Sequence, residues 1–377
     1  MLSRLMMIAG EASGDLHGSG VVRELKKRLP SLEIFGIGGD NMQREGMELV
    51  HHIASLSFMG FVEVVRHLSL IRSVEKSLET VFEQRKPDVV VLIDYPGFNL
   101  RFARRIRKQG AKILYYISPQ VWAWNKGRVK KMKRLVDRMK VVFPFEVEIY
   151  KQEGIDVEFV GHPLVEVLGQ TCSRDDFFRT HGLDPGKKLL GLFPGSRPQE
   201  IERILPSMVA AALRLEQLTG VQAAVGVAAN LGAACVRTFI PEGSSIFLLE
   251  NASYDLMKHS DVAVVTSGTA TLETGWFGTP LVVVYKTSPV TFLLGKLLVD
   301  VPYIGLVNIV AGKRVAPELI QHDLTPDNLI VAVRRIIEEG GYAERMRAEL
   351  SVIKTKLGIP GASARVAEGI IALGEAA

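Results

Sequence analysis

Short apolar runs rich in valine and isoleucine recur along the chain, separated by stretches whose apolar positions follow a helical period. Runs that are apolar throughout, rather than alternating, are the signature of parallel strands covered on both faces. In the first half this pattern predicts strands at LMMIAG (5–10), EIFGIGG (33–39), DVVVLID (88–94), KILYYIS (112–118), MKVVFP (139–144) and VEFVGHP (157–163). Helical segments are expected at 17–29, 69–85, 98–109 and 125–138. A second series follows a polar stretch around 169–187: KLLGLFPGS (188–196), VQAAVGVAA (221–229), SSIFLLEN (244–251), DVAVVTSG (261–268) and PLVVVYK (280–286). Residues 325–376 read as two or three helices without strands.

Strand alternating with helix in two successive blocks implies an α/β protein of two Rossmann-like, doubly wound parallel-sheet domains, expected to face a cleft. The domains are expected at 1–165 and 186–340, with helices of 341–377 packing back across them. Gly10-Glu11-Ala12-Ser13-Gly14 lacks the G-x-G-x-x-G spacing of a dinucleotide fold, and no Walker motif occurs.

Composition narrows this only a little. A chain of 377 residues, 47% hydrophobic, has room for more than one core, and a net charge of +5 suits anionic partners without selecting one. Two cysteines, Cys172 and Cys235, make no disulfide framework, as expected in a reducing compartment. The opening apolar run is short and is followed at once by Glu11 and Asp15, so it reads as a buried strand rather than a signal peptide. No run of about 18 apolar residues marks a membrane span.

In wound sheets ligands bind beyond the carboxyl ends of the strands, so the residues after each strand carry the candidate chemistry. After the first come Glu11 and Ser13 in a glycine-rich turn, which either approaches a ligand or simply opens a helix. DVVVLID ends in Asp94, placed to act as a general base or to cap the next helix. Gly195-Ser196-Arg197 before a helix is an anion-site pattern, combining backbone donors, the helix dipole and a guanidinium. Ser267, Gly268 and Thr269 open another helix, with Glu273 one turn in, suited to ribose hydroxyls or to the dipole. Together the two turns would hold a nucleotide diphosphate. Neither an Asp-X-Asp clamp nor a zinc pattern among the eight histidines occurs, so neither metal nor other cofactor is expected. His162 reads as a packed or hinge residue.

Two stretches bear on a membrane. In 124–140, Val129, Met132, Val136 and Met139 recur at helical spacing among basic residues, either a lipid-facing helix or a solvated one with its stripe inside. Segment 55–74 is apolar, and Phe58, Met59, Phe61, Val62 and Val65 are its candidates for acyl or membrane contact if exposed. Trp122 and Trp124 suit an interface or a core.

AGEASGDLHG, IDYPGFN, YYISPQVWAWNKGRV, FVGHPL, LFPGSRPQEI, SGTATLE and YIGLVNIVAG stand in the order found in lipid-A-disaccharide synthases, which this chain resembles over nearly its whole length. The resemblance implies an inverting glycosyltransferase of GT-B fold. It would transfer 2,3-diacylglucosamine from its UDP conjugate to the 6-hydroxyl of 2,3-diacylglucosamine 1-phosphate (lipid X), giving a β-1,6 disaccharide 1-phosphate and UDP. Asp94 would be the essential carboxylate, with Glu11 and Ser13 on the acceptor side. Arg197, Glu273 and Asn308 would line the UDP side. The resemblance also implies a homodimer, no nucleic-acid partner, and a peripheral place on the cytoplasmic face of the inner membrane of a Gram-negative-type bacterium. One departure is Gly97, where many members carry a second acid in the IDYPGFN loop. The rival readings are a UDP-GlcNAc 2-epimerase or the peptidoglycan lipid-intermediate glucosaminyltransferase, and, outside enzymes, a membrane-associated binding module.

Overall fold

The computed structural model describes residues 2–55, 68–119, 127–169, 171–228, 231–289, 291–293 and 302–376. It divides into two compact units, Met1–Glu166 with Leu357–Ala377, and Val167–Lys356.

The first unit is built on a seven-stranded sheet, every pairing parallel: β1 (Arg4–Ala9), β2 (Glu33–Gly38), β3 (Glu48–His52), β4 (Val89–Ile93), β5 (Ile113–Tyr116), β6 (Arg138–Val141) and β7 (Val157–Phe159). Their order is β3-β2-β1-β4-β5-β6-β7. Helices α1 (Ala12–Arg28), α2 (Asp40–Arg44), α3 (Leu68–Arg85), α4 (Pro96–Arg107), α5 (Gly127–Met132) and α6 (Pro144–Gln152) alternate with the strands. Strand residues Met6, Ile8, Val90, Leu92 and Tyr115 share one core with Leu78 and Phe82 of α3, Phe98, Phe102 and Ile106 of α4, and Val129 and Met132 of α5.

The second unit repeats the plan with six strands: β8 (Leu189–Phe193), β9 (Gln222–Val227), β10 (Phe247–Glu250), β11 (Val262–Thr266), β12 (Leu281–Tyr285) and β13 (Glu318–Ile320). They too are all parallel, in the order β10-β9-β8-β11-β12-β13. Its helices include α7 (Arg174–His181), α8 (Pro198–Thr219), α9 (Ser253–His259), α10 (Thr269–Phe277), α11 (Leu306–Ala311), α12 (Pro326–Glu338) and α13 (Tyr342–Leu357). The last helix, α14 (Ala362–Glu375), belongs to the first unit, where it packs on α1, β4 and β5.

The same aspartate device fastens both sheets. Asp88 before β4 accepts the Arg4 N–H at 2.8 Å, and Asp261 before β11 accepts the Leu189 N–H at 2.8 Å, so each ties the start of the unit's first strand to its new neighbour.

The eleven strands predicted from the pattern all form. The two that escaped it, β3 and β13, each lie at one edge of their sheet; the opposite edges, β7 and β10, were predicted. In the two that escaped, ELVHH and the three-residue ELI stay partly exposed and carry no continuous apolar run. The 124–140 stretch also differs from the helical reading. Helix α5 ends at Met132, and Met139 lies in β6, because the buried sheet claims its side chain. Val129, Met132, Val136 and Met139 are all buried, so this stripe faces the core rather than lipid. Among the described residues no helix is long and apolar enough to cross a membrane. Phe58, Met59, Phe61, Val62, Val65, Trp122 and Trp124 lie outside the described residues.

Candidate functional site

Each strand order reverses once, between β1 and β4 in the first unit and between β8 and β11 in the second. At such a switch point the helices leaving the two strands depart in opposite directions and open a crevice at the strands' carboxyl ends. The residues singled out in the sequence fall at these two places.

At the first switch point, Ala9 pairs with Ile93, so the turns starting at Gly10 and at Asp94 are neighbours. Glu11 is the N-cap of α1, half-buried, and makes no capping bond with its side chain. Ser13 is exposed in the first turn. Burial raises the Asp94 carboxyl from its ordinary value to about 7, and the negative charge of Glu11 adds to the shift. A hydrogen bond from the Tyr95 N–H works the other way. A carboxyl poised near neutrality beside a second carboxylate is suited to taking a proton from a hydroxyl.

The backbone beneath it is strained. Asp94 and Tyr95 both have φ of +46°, and Ile117, just beyond β5, has φ of +60°. Non-glycine residues in this region cost on the order of 1–3 kcal/mol each, and persist only where their surroundings hold them. Here the Asp94 carbonyl accepts from the Tyr115 hydroxyl at 2.6 Å and from the Asn99 amide at 2.7 Å. Asn99 also donates to the Ile93 carbonyl at 3.2 Å. The Tyr95 ring lies so close over Gly10 that a β-carbon at position 10 would fall within it. Position 97, by contrast, is open: a β-carbon on Gly97 would touch nothing. Asp94 therefore stands in its loop without the companion acid. Asp94 does not cap α4, whose N-cap is Tyr95.

Nearby, His17 and His162 meet edge to face at 6.0 Å, and His162 packs on Phe143 at 5.3 Å. Burial lowers their pKa values to about 4 and about 3, so both are neutral and His162 is a packing residue, its Nδ1 accepting the Leu164 N–H at 3.2 Å.

At the second switch point, Phe193 pairs with Val265. Arg197 is the N-cap of α8 and is exposed, but its guanidinium already has a carboxylate: Glu200 Oε1 sits 2.7 Å from Nη1. The other oxygen of Glu200 accepts the Ser196 N–H at 3.2 Å. Gly195, at φ +111°, leaves the space that this carboxylate uses, since a β-carbon there would collide with it. The anion seat expected from the Gly-Ser-Arg turn is thus filled by the chain's own acid.

After β11, Ser267 donates its N–H to Val284 and its hydroxyl to the Ile304 carbonyl at 2.7 Å, which pins the turn. Gly268 follows at φ +153° with open space beside it, and Thr269 starts α10 exposed. Thr266 Oγ1 is buried with no hydrogen-bond partner among the described residues. Burial raises the Glu273 carboxyl to about 7, opposed by a hydrogen bond from the Tyr254 hydroxyl. Desolvation, and then the Glu273 charge, push Tyr254 up, which keeps it a neutral donor.

Asn308, expected from the resemblance on the UDP side, has its side chain held within the chain. It is fully buried in α11, its amide nitrogen donating to the Ala316 carbonyl at 2.8 Å and to Glu318 Oε1 at 2.9 Å. Its oxygen accepts the Val315 and Ala316 N–H groups, both at 2.8 Å. With every group engaged, Asn308 shapes its loop.

The residues that pattern reading passed over are Tyr115, Asn99, Tyr254 and Glu200. Tyr115, Asn99 and Glu200 stand inside motifs quoted above, although Tyr115 looks like any strand aromatic, whereas Tyr254 lies in no motif.

The family profile described as lipid-A-disaccharide synthetase matches residues 5–360. The chain is 45% identical over 370 residues to a lipid-A-disaccharide synthase from Geobacter sulfurreducens, covering 98% of this chain and 96% of that one. It is 45% identical over 371 residues to another from Syntrophus aciditrophicus, covering 97% of each. Among solved structures it is similar to a UDP-GlcNAc 2-epimerase from Neisseria meningitidis bound to UDP-GlcNAc (TM-score 0.67, 13% identity, 98% of this chain and 100% of that one). It is also similar to the calicheamicin glycosyltransferase (TM-score 0.62, 16% identity, 99% and 98%). At these identities the structures speak for the fold, which is GT-B.

Proposed function

Because this chain belongs to the lipid-A-disaccharide synthase family, we propose that its first switch point takes the lipid-linked sugar acceptor and its second the UDP-sugar donor. The chain is a hexosyltransferase. Its reaction moves 2,3-diacylglucosamine from UDP-2,3-diacylglucosamine to the 6-hydroxyl of lipid X, releasing UDP and forming the β-1,6 disaccharide 1-phosphate. The observation that carries the site reading is Asp94, a strained and desolvated carboxyl near pKa 7 at a switch point.

In this reading Asp94 removes the proton of the 6-hydroxyl as its oxygen attacks the anomeric carbon. The bond to the UDP oxygen breaks on the opposite face, and the configuration inverts. Glu11 keeps the Asp94 pKa high, and Ser13 is placed for the acceptor's polar groups. Arg197 and the first N–H groups of α8 and α10 receive the departing diphosphate. For that, Glu200 must give up the seat it holds. Ser267, Gly268 and Thr269 form the turn over the phosphates, and Glu273, held by Tyr254, is placed for ribose hydroxyls. Asn308 supports this region from within. The α/β units fall at 1–166 with 357–377, and at 167–356. The peripheral membrane site through the 55–74 segment, the cytoplasmic face and the homodimer rest on the family resemblance.

The test is direct. Purified protein given UDP-2,3-diacylglucosamine and lipid X is expected to yield the disaccharide 1-phosphate and one UDP per bond, by mass spectrometry. Turnover of UDP-GlcNAc with no lipid acceptor would instead favour an epimerase, and absence of any transfer would sink the assignment.

A further inference from the structure

The second unit holds a cluster that the transfer reaction does not use. Asp255 and His259 are four residues apart on α9, so their side chains leave the same face of the helix. Cys172 reaches that face from the segment entering α7, whose own start is fixed by the Ser173 hydroxyl accepting the Asp176 N–H at 3.2 Å. One ligand atom from each, sulfur, carboxylate oxygen and imidazole nitrogen, lies within 4.8 Å of the other two. We infer that Cys172, Asp255 and His259 form a binding site for a divalent metal of the zinc class.

The donor set argues the class. A thiolate with an imidazole selects zinc or cobalt over magnesium or calcium, which prefer oxygen donors, and a carboxylate is an accepted third ligand. Ligand bonds of about 2.0–2.3 Å place tetrahedral donors roughly 3.3–3.8 Å apart, so the three atoms need to close by about 1 Å. Cys172 Sγ already lies 3.1 Å from Asp255 Oδ1, so the closure falls to the imidazole, which is held beside the same residue with Nε2 3.0 Å from the Cys172 carbonyl. The Cys172 N–H donates to the same carboxylate oxygen at 2.8 Å, and Phe177 packs on the His259 ring at 5.4 Å. Burial is graded from His259, buried, through Asp255 to Cys172, exposed, which leaves an entry path and a fourth position for water.

Binding balances as M²⁺ plus Cys172–SH giving Cys172–S–M⁺ and a released proton, while the imidazole exchanges its bond to the Cys172 carbonyl for one to the metal. The neighbouring cations are otherwise occupied. Lys258 donates to Thr171 Oγ1 at 2.8 Å and to the Cys172 carbonyl at 3.4 Å. Arg174 donates to the His259 carbonyl and pairs with Asp261 at 3.2 Å. An occupied site would pin the 171–173 segment to α9, the helix that also presents Tyr254.

Cobalt(II) alone is the probe. Titrating the reduced, full-length protein is expected to give one equivalent with a thiolate-to-cobalt charge-transfer band, displaced by zinc. Cys172→Ser, at an exposed position, is expected to lose the band and at least tenfold in affinity, and Asp255→Asn is expected to weaken binding with the band kept. Cys235→Ser is expected to change neither. A band that persists in the Cys172 variant, or no thiolate band in the parent protein, overturns the site.

Discussion

After β1 and β4 the first unit presents Glu11 and Asp94, whereas after β8 and β11 the second presents Arg197 and the start of α10. The strand order around both places is the same, yet the first gathers two carboxyl groups and the second gathers donors to an anion. Topology thus chooses where the chemistry goes, and the residues that follow each strand choose its sign. The difference is also one of satisfaction. Among the described residues no cation offsets Asp94, and its pKa rises. Arg197 is matched within its own turn by Glu200. One mouth ends in a carboxyl raised to about 7, and the other is closed on itself by an internal acid.

The strongest test of this contrast is Asp94→Asn. Transfer is expected to fall by about 10²–10⁴, the range for a lost general base, while UDP binding measured by calorimetry stays unchanged. In the parent protein kcat is expected to rise with pH through about 7, where Asp94 loses its proton. Stability should run the other way. The folded pKa of Asp94 lies above its ordinary value of 3.8, so its favourable contribution is present at low pH and is lost as pH rises toward 7. Asp94→Asn should therefore raise the melting temperature at pH 8 and leave it unmoved at pH 4; a loss at pH 8 would count against a strained, desolvated base.

Arg197→Ala is the reciprocal test. Losing a charge-assisted contact worth about 1.5–3 kcal/mol should weaken UDP binding roughly 10- to 100-fold, with the pH limb still near 7. A shifted limb would mean that the two mouths are not chemically separate. The smallest expected effect sharpens the picture most. Glu200→Gln removes the competing charge but keeps the side chain's shape, so UDP should bind a few-fold more tightly. Weaker binding would mean that Glu200 orients Arg197 rather than occupying its seat.

Much of this was readable in the chain. Central strands announce themselves because both faces are buried, as in VVVLI and LVVVY, whereas ELVHH does not because none of its positions is fully buried. Asp94 could be found from its place after a strand. Its cradle could not, because Tyr115 and Asn99 act through the Asp94 carbonyl, a contact made only when β5 is paired beside β4. The bonds by which the Asn308 side chain holds the Val315 and Ala316 N–H groups were likewise invisible in the motif, since they depend on how its loop closes. Glu200 was in plain view and still passed over, since spacing alone does not say whether an acid faces solvent or its neighbour's guanidinium.

The return of α14 to the first unit sets an order of events during synthesis. The sheet that carries Asp94 is made before the second unit, but the helix that packs on α1, β4 and β5 is made after it. At ribosomal speeds of about 5–20 residues per second, the roughly 190 intervening residues of the second unit take on the order of 10–40 s. Throughout that interval the apolar side of the first sheet waits for its cover. The newborn chain is then a client for chaperones at its first unit, and a stop codon just before α14 would injure a sheet made long before it.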